Sequence, residues 1–127
     1  MKQSTRTRKR VHPPTLSSEL TLAIAAALDK KAIDVVVLDL RKASAFTDFF
    51  VICTGNSVRQ VQTIAEAIQG ALGKVGTKPA LVEGLGRAEW VLIDYFDFIV
   101  HVFTPVTREF YGLERLWGDA ERVEVSA

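Results

Sequence analysis

The hydrophobic pattern of this chain changes period several times, and each change marks an element. After a break at Pro13-Pro14, Ser17 or Ser18 can cap a helix that gathers Leu20, Ile24, Ala27 and Leu28 on one face. Lys30 and Lys31 stand near its end, where cations suit the helix dipole. Ile33 to Leu40 (IDVVVLDL) is β-branched and nearly continuous in its apolar residues, which predicts a strand covered on both faces. A loop from Arg41 to Ala45 leads to a second buried strand ending at Thr54. Helical periodicity then begins at once. Val58, Val61, Ala65, Ile68, Leu72 and Val75 recur at spacings of three and four, predicting one buried stripe that Gly73 and Gly76 bring to an end. Three short strands follow, Ala80 to Glu83, Trp90 to Asp94 and Phe98 to Phe103, the last two close enough for an antiparallel hairpin. Thr104 and Pro105 open a final helix whose stop is Gly118 and whose inner face is Val106, Phe110, Leu113 and Trp117. Helix, strand, strand, helix, three strands, helix predicts a single α/β domain: a mixed five-stranded sheet with helices packed on it.

Charge changes this picture at one end. The chain of 127 residues has a net charge of +1, yet Lys2, Arg6, Arg8, Lys9 and Arg10 crowd the first ten positions without an acid. The remaining 11 Lys and Arg face 15 Asp and Glu, which leaves the rest at about −4. The sequence therefore divides into a disordered basic arm over 1–15, a domain over 16–121 and a tail over 122–127. The arm reads either as a solvated tail or as a tether in which Arg6, Arg8, Lys9 and Arg10 meet nucleic-acid phosphates. An acidic body suits a basic protein partner better than nucleic acid. No apolar run reaches membrane-spanning length, and no signal-peptide core follows the basic start, so a cytoplasmic protein without membrane contact is expected. The one cysteine, Cys53, lies in an apolar strand and fits a reducing compartment.

Candidate chemistry falls away on inspection. Between Thr54 and Ser57 a Gly-containing turn opens a helix, with Ser57 and Gln60 spaced as a capping box. Such a turn can hold a phosphate, but no Lys-Ser/Thr pair and no Asp-x-Asp pair follows it. Asp34 and Asp39, five apart on one strand, point to opposite faces, and Asp48 sits in a loop. His101 has no other soft ligand near it, so neither a metal nor a cofactor is expected. Gly84-Leu85-Gly86 precedes a strand instead of a helix and reads as a turn, not a dinucleotide fingerprint. No residue is assigned to catalysis, and the chain reads as a non-enzyme.

Aromatic residues remain. Trp90, Tyr95, Phe96, Tyr111 and Trp117 cluster in the last third, near Glu83, Glu89, Asp94 and Glu114. Trp90, Leu92 and Asp94 share one face of their strand and Val91, Ile93 and Tyr95 the other. Tyr111 is turned by about 100° from Phe110. These rings either cover the sheet or form an acid-fringed surface for a basic protein.

Three blocks in order, TDFFVICTGNSVRQVQTIAEA, EGLGRAEWVLIDYFDFIVHVF and REFYGLERLWGDA, resemble the Iojap or ribosomal silencing factor family from about Ser17 to Glu121. The resemblance implies a nucleotidyltransferase-like fold that lacks the metal-binding carboxylates. It implies a translation repressor that binds the large ribosomal subunit through ribosomal protein L-fourteen and obstructs joining of the small subunit. Large-subunit assembly is the alternative, and a nucleotidyltransferase-like enzyme is a weaker one. By the family's motifs, Trp90 with Asp94 and the helix carrying Phe110, Tyr111, Leu113, Glu114 and Trp117 are the matching positions. The expected partner surface is thus Trp90, Asp94, Tyr95, Glu83, Phe110, Tyr111 and Glu114, with weak ribosomal RNA contact by the arm and a homodimer when free. Phe96 departs from the glycine usual in the family at the hairpin turn, where phenylalanine resists a positive φ.

Overall fold

Strand alternation builds a sheet whose two faces do different things. The computed structural model describes residues 16–43 and 45–125, so the basic residues Arg6, Arg8, Lys9 and Arg10 lie outside the described residues. The elements run α1 (Ser18–Asp29), β1 (Ile33–Asp39), β2 (Phe49–Thr54), α2 (Val58–Gly73), β3 (Leu81–Glu83), β4 (Trp90–Asp94), β5 (Phe98–Phe103), α3 (Pro105–Tyr111), α4 (Leu113–Leu116) and β6 (Glu121–Val125). One mixed sheet holds the strands in the order β3-β4-β5-β2-β1-β6. β2 and β5 are parallel, and the other pairings are antiparallel.

The sheet has six strands, not five. Glu121–Val125, expected to be the end of the domain and the start of a tail, pairs antiparallel with β1 from Val35↔Val125 to Asp39↔Glu121. Its Val-x-Val pattern is too short to announce a strand. It becomes one because β1 otherwise leaves an unpaired edge.

On the first face, α1 and α2 pack over Val35, Val37, Val51, Cys53, Val91, Ile93, Val100 and Val102. Ser17 caps α1, its hydroxyl accepting from Leu20 N at 3.1 Å. The α2 stripe is Val61, Ile64, Ala65, Ile68 and Leu72, whereas Val58 and Val75, expected within it, are exposed at the two ends. Burial pushes the Cys53 thiol up to about 12, which keeps it protonated and unreactive.

The second face carries Val36, Leu38, Phe50, Ile52, Ile99 and Phe103, and the C-terminal segment covers only part of it. The expected continuous last helix is broken at Gly112, whose φ of +56° ends α3 and starts α4. That break changes which residues face inward. Leu113 and Trp117 pack against the sheet as expected, while Val106 and Phe110 are 79% and 75% exposed. A 3.6-residue period extrapolated through a left-handed residue loses its phase.

Candidate partner-binding face

The uncovered half of the second face is built by β3 and β4. Register places Glu83 opposite Leu92 and Leu81 opposite Asp94, so these four share a face with Trp90. Leu92, Asp94 and Trp90 are half-buried, and Leu81 and Glu83 are exposed. Trp90 lies on Phe103 with ring centroids 5.0 Å apart, and Tyr111 of α3 lies against Trp90 at 4.6 Å. Phe110 meets Tyr111 edge to face at 5.0 Å. Aromatic surface therefore runs outward from a fully buried ring, Phe103, through Trp90 and Tyr111 to an exposed one, Phe110.

Four of the seven expected surface residues are thus brought to this face or its rim: Glu83, Trp90, Asp94 and Tyr111, with Phe110 beside them as a fifth. Two are not available there. Tyr95 points to the opposite face and is 7% exposed within the α1/α2 core, stacked on Phe98 at 5.1 Å. Burial raises its phenol pKa. The β4 alternation that separates Trp90 from Tyr95 is what sends it inward. Glu114 is engaged within the molecule, its carboxylate accepting from Arg108 Nε at 3.0 Å and Nη2 at 2.9 Å and pairing with Arg122 at 3.3 Å. The hydrogen bonds from Arg108 hold the Glu114 carboxyl below its ordinary pKa.

Two residues to which pattern reading gave no role organise this region. Arg108 also donates from Nη1 to Asp34 O at 2.8 Å and to Thr54 Oγ1 at 2.9 Å, clamping α3 to the ends of β1 and β2. His101, 3% exposed, accepts the Trp90 indole N–H on Nδ1 at 3.0 Å. Desolvation lowers its pKa to about 3. A polar residue inside Phe-Ile-Val-His-Val-Phe was the available signal. Its partner was hidden, since diagonal strand neighbours depend on register.

The Gly55–Ser57 turn is explained by packing. Gly55 N donates to Phe103 O at 2.9 Å, Gln60 N to Ser57 Oγ at 3.1 Å, and Asn56 N to Gln60 Oε1 at 2.7 Å. A Cβ on Gly55 would stand 3.0 Å from Val61 N, so the glycine allows α2 to start close against the strand end. Asp34 lies at an irregularity of β1, and Asp39 binds the Arg41 guanidinium at 2.8 Å and 3.0 Å. Among the described residues no three His, Cys, Asp or Glu side chains gather as metal ligands. No helix is long and apolar enough to cross a membrane among them.

Fold and face together define a small α/β domain whose mixed sheet carries a partly covered aromatic face. The family model for ribosomal silencing factor during starvation matches residues 13–127, so the chain belongs to the ribosomal silencing factor family. It is 47% identical over 106 residues to the ribosomal silencing factor of Halalkalibacterium halodurans, covering 84% of this chain and 91% of that one. A crystal structure of a Chromobacterium violaceum protein superposes with a TM-score of 0.79 at 33% identity, covering 90% of this chain and 95% of that one. More distantly, the Mus musculus protein named mitochondrial assembly of ribosomal large subunit protein 1 is 26% identical, covering 78% of this chain and 45% of its own length.

Proposed function

We propose that this protein is a non-catalytic translation repressor that binds the large ribosomal subunit through ribosomal protein L-fourteen and blocks joining of the small subunit by occupying the interface. Membership of the silencing factor family supports action on ribosomes. The observation that carries the contact is the uncovered half of the sheet, where Trp90, Leu92 and Tyr111 offer apolar area fringed by the carboxylates of Glu83 and Asp94. Aromatic anchors with acids at the rim fit a basic protein surface. Repression of this kind needs no turnover. It follows occupancy, and therefore concentration relative to Kd.

Trp90 carries both packing and contact, so its truncation confounds folding with binding. Tyr111 is the cleaner probe, because the residue is 47% exposed and its ring lies against Trp90 and its helix neighbour Phe110. Tyr111→Ala is expected to weaken co-sedimentation with purified large subunits by about tenfold or more while the thermal melt moves by only a few degrees. Equal binding of the variant and the original protein, or sedimentation with small subunits alone, overturns the reading. The mouse relative's name favours a second role, in large-subunit assembly. Depletion that leaves large-subunit precursors, with joining of finished subunits unaffected, selects assembly over repression.

A further inference from the structure

Aromatic and imidazole rings meet on the second face, and one buried polar atom among them has no counterpart. His101 Nδ1 accepts the Trp90 indole N–H, so in the neutral ring the proton sits on Nε2, which is buried and has no hydrogen-bond partner among the described residues. Its surroundings are rings: Phe50 at 4.5 Å and 75°, Phe103 at 6.1 Å and 12°, Trp90 at 6.0 Å. A buried donor without a partner is destabilising, and the other five residues of β5 are apolar. What the imidazole supplies is a fixed acceptor for one indole.

We infer that His101 is a positioning residue for the partner face: it holds the Trp90 indole with its N–H turned into the sheet, so that Tyr111 rests on the ring and the partner meets an apolar aromatic platform. The Trp90 N–H is then already engaged, and the partner contact takes no hydrogen bond from it. Apolar groups, the planar guanidinium of arginine or the ammonium of lysine match such a surface, and a partner acceptor aimed at the indole does not. The platform is formed before the partner arrives, which removes the ordering cost of a large side chain from association. Orientation by His101 rests on the reading of this face as the ribosomal contact.

Nitrogen-15 spectra of the full chain report the tautomer directly, and they are expected to show His101 unprotonated at Nδ1 and protonated at Nε2. A proton on Nδ1 overturns the inference without any substitution. His101→Leu removes the acceptor, while His101→Asn keeps an oxygen near the place of Nδ1. In His101→Leu the Trp90 indole N–H is expected to exchange at least about tenfold faster and large-subunit binding to weaken by about tenfold, with a cooperative melt retained. In His101→Asn both are expected to stay within about threefold of the original. Trp117→Phe identifies which of the two indole signals belongs to Trp90. If Tyr111→Ala loses subunit binding while His101→Leu binds as the original protein does, the face is right and His101 has no positioning role. If neither loses binding, the face itself is wrong and the inference falls with it.

Discussion

Single residues here are held against their intrinsic preferences by named neighbours. Phe96 takes φ +72°, the conformation that glycine adopts without strain, because the hairpin turn closes around it. Asp94 Oδ1 accepts from Phe96 N at 2.8 Å, and Thr47 Oγ1 donates to Phe96 O at 2.7 Å. The phenyl ring is largely exposed, so little packing offsets the backbone strain. Phe96→Gly is therefore expected to raise stability by about 1 kcal/mol, read as a higher urea midpoint, whereas Phe96→Ala should not. His101 makes a second prediction at this scale. Its folded pKa of about 3 lies below the ordinary 6.5, so between those values the unfolded chain binds more protons than the folded one. Stability from the neutral imidazole is full above pH 6.5 and is lost as pH falls toward 3. Unfolding free energy should thus fall by up to about 1.4 kcal/mol per pH unit below pH 6, and His101→Asn should flatten that slope between pH 5 and 6.5, where few carboxylates titrate.

At the scale of elements, α3 is the one whose placement matters most for the proposed face. It is seven residues long with no buried side chain, too short and too exposed to hold itself on the sheet. Arg108 holds it, reaching the carbonyl of Asp34, the hydroxyl of Thr54 and the carboxylate of Glu114 at once. Glu114→Gln keeps the shape and removes the charge. It is expected to lower stability by roughly 1–2 kcal/mol at neutral pH, allowing for partial exposure of the pair. Since Arg108 depresses the Glu114 pKa, this contribution is present above the ordinary carboxylate range and disappears as pH falls through the lowered value. A chemical denaturation series from pH 7 to pH 3 checks both size and sign. The loss should reach subunit binding as well, because Tyr111 rides on α3.

For the molecule as a whole, β6 is what finishes the sheet. Val123 and Val125 pack against the main core from that strand, and Arg122 joins the Glu114 pair. Ending the chain after Ala120 is expected to cost about 3 kcal/mol through two half-buried valines and the lost pairing, and to leave the β1 edge open to association. A lowered melting temperature together with concentration-dependent light scattering would confirm it. An unchanged melt would show β6 to be dispensable.

The division between what was legible and what was not follows interaction range. Period-two and period-3.6 patterns, the Ser57 cap, the β4–β5 hairpin and the family motifs depend on residues near each other in sequence, and all could be read there. The alternation of β4 already separated Trp90 from Tyr95. It did not say which face would be covered, because that depends on α1 and α2 choosing one side of the sheet. Gly112 interrupted a helical period that looked continuous, since a left-handed residue is compatible with the sequence but is imposed by the fit of α4 against the sheet. Register decided the rest. The pairing of Leu92 with His101 brings Trp90 to its acceptor, and Arg108 meets Asp34 across 74 positions of chain. Strands and helices were written locally, whereas the proposed face is a product of packing, where a hydrogen bond between residues on neighbouring strands selects one orientation for the Trp90 ring.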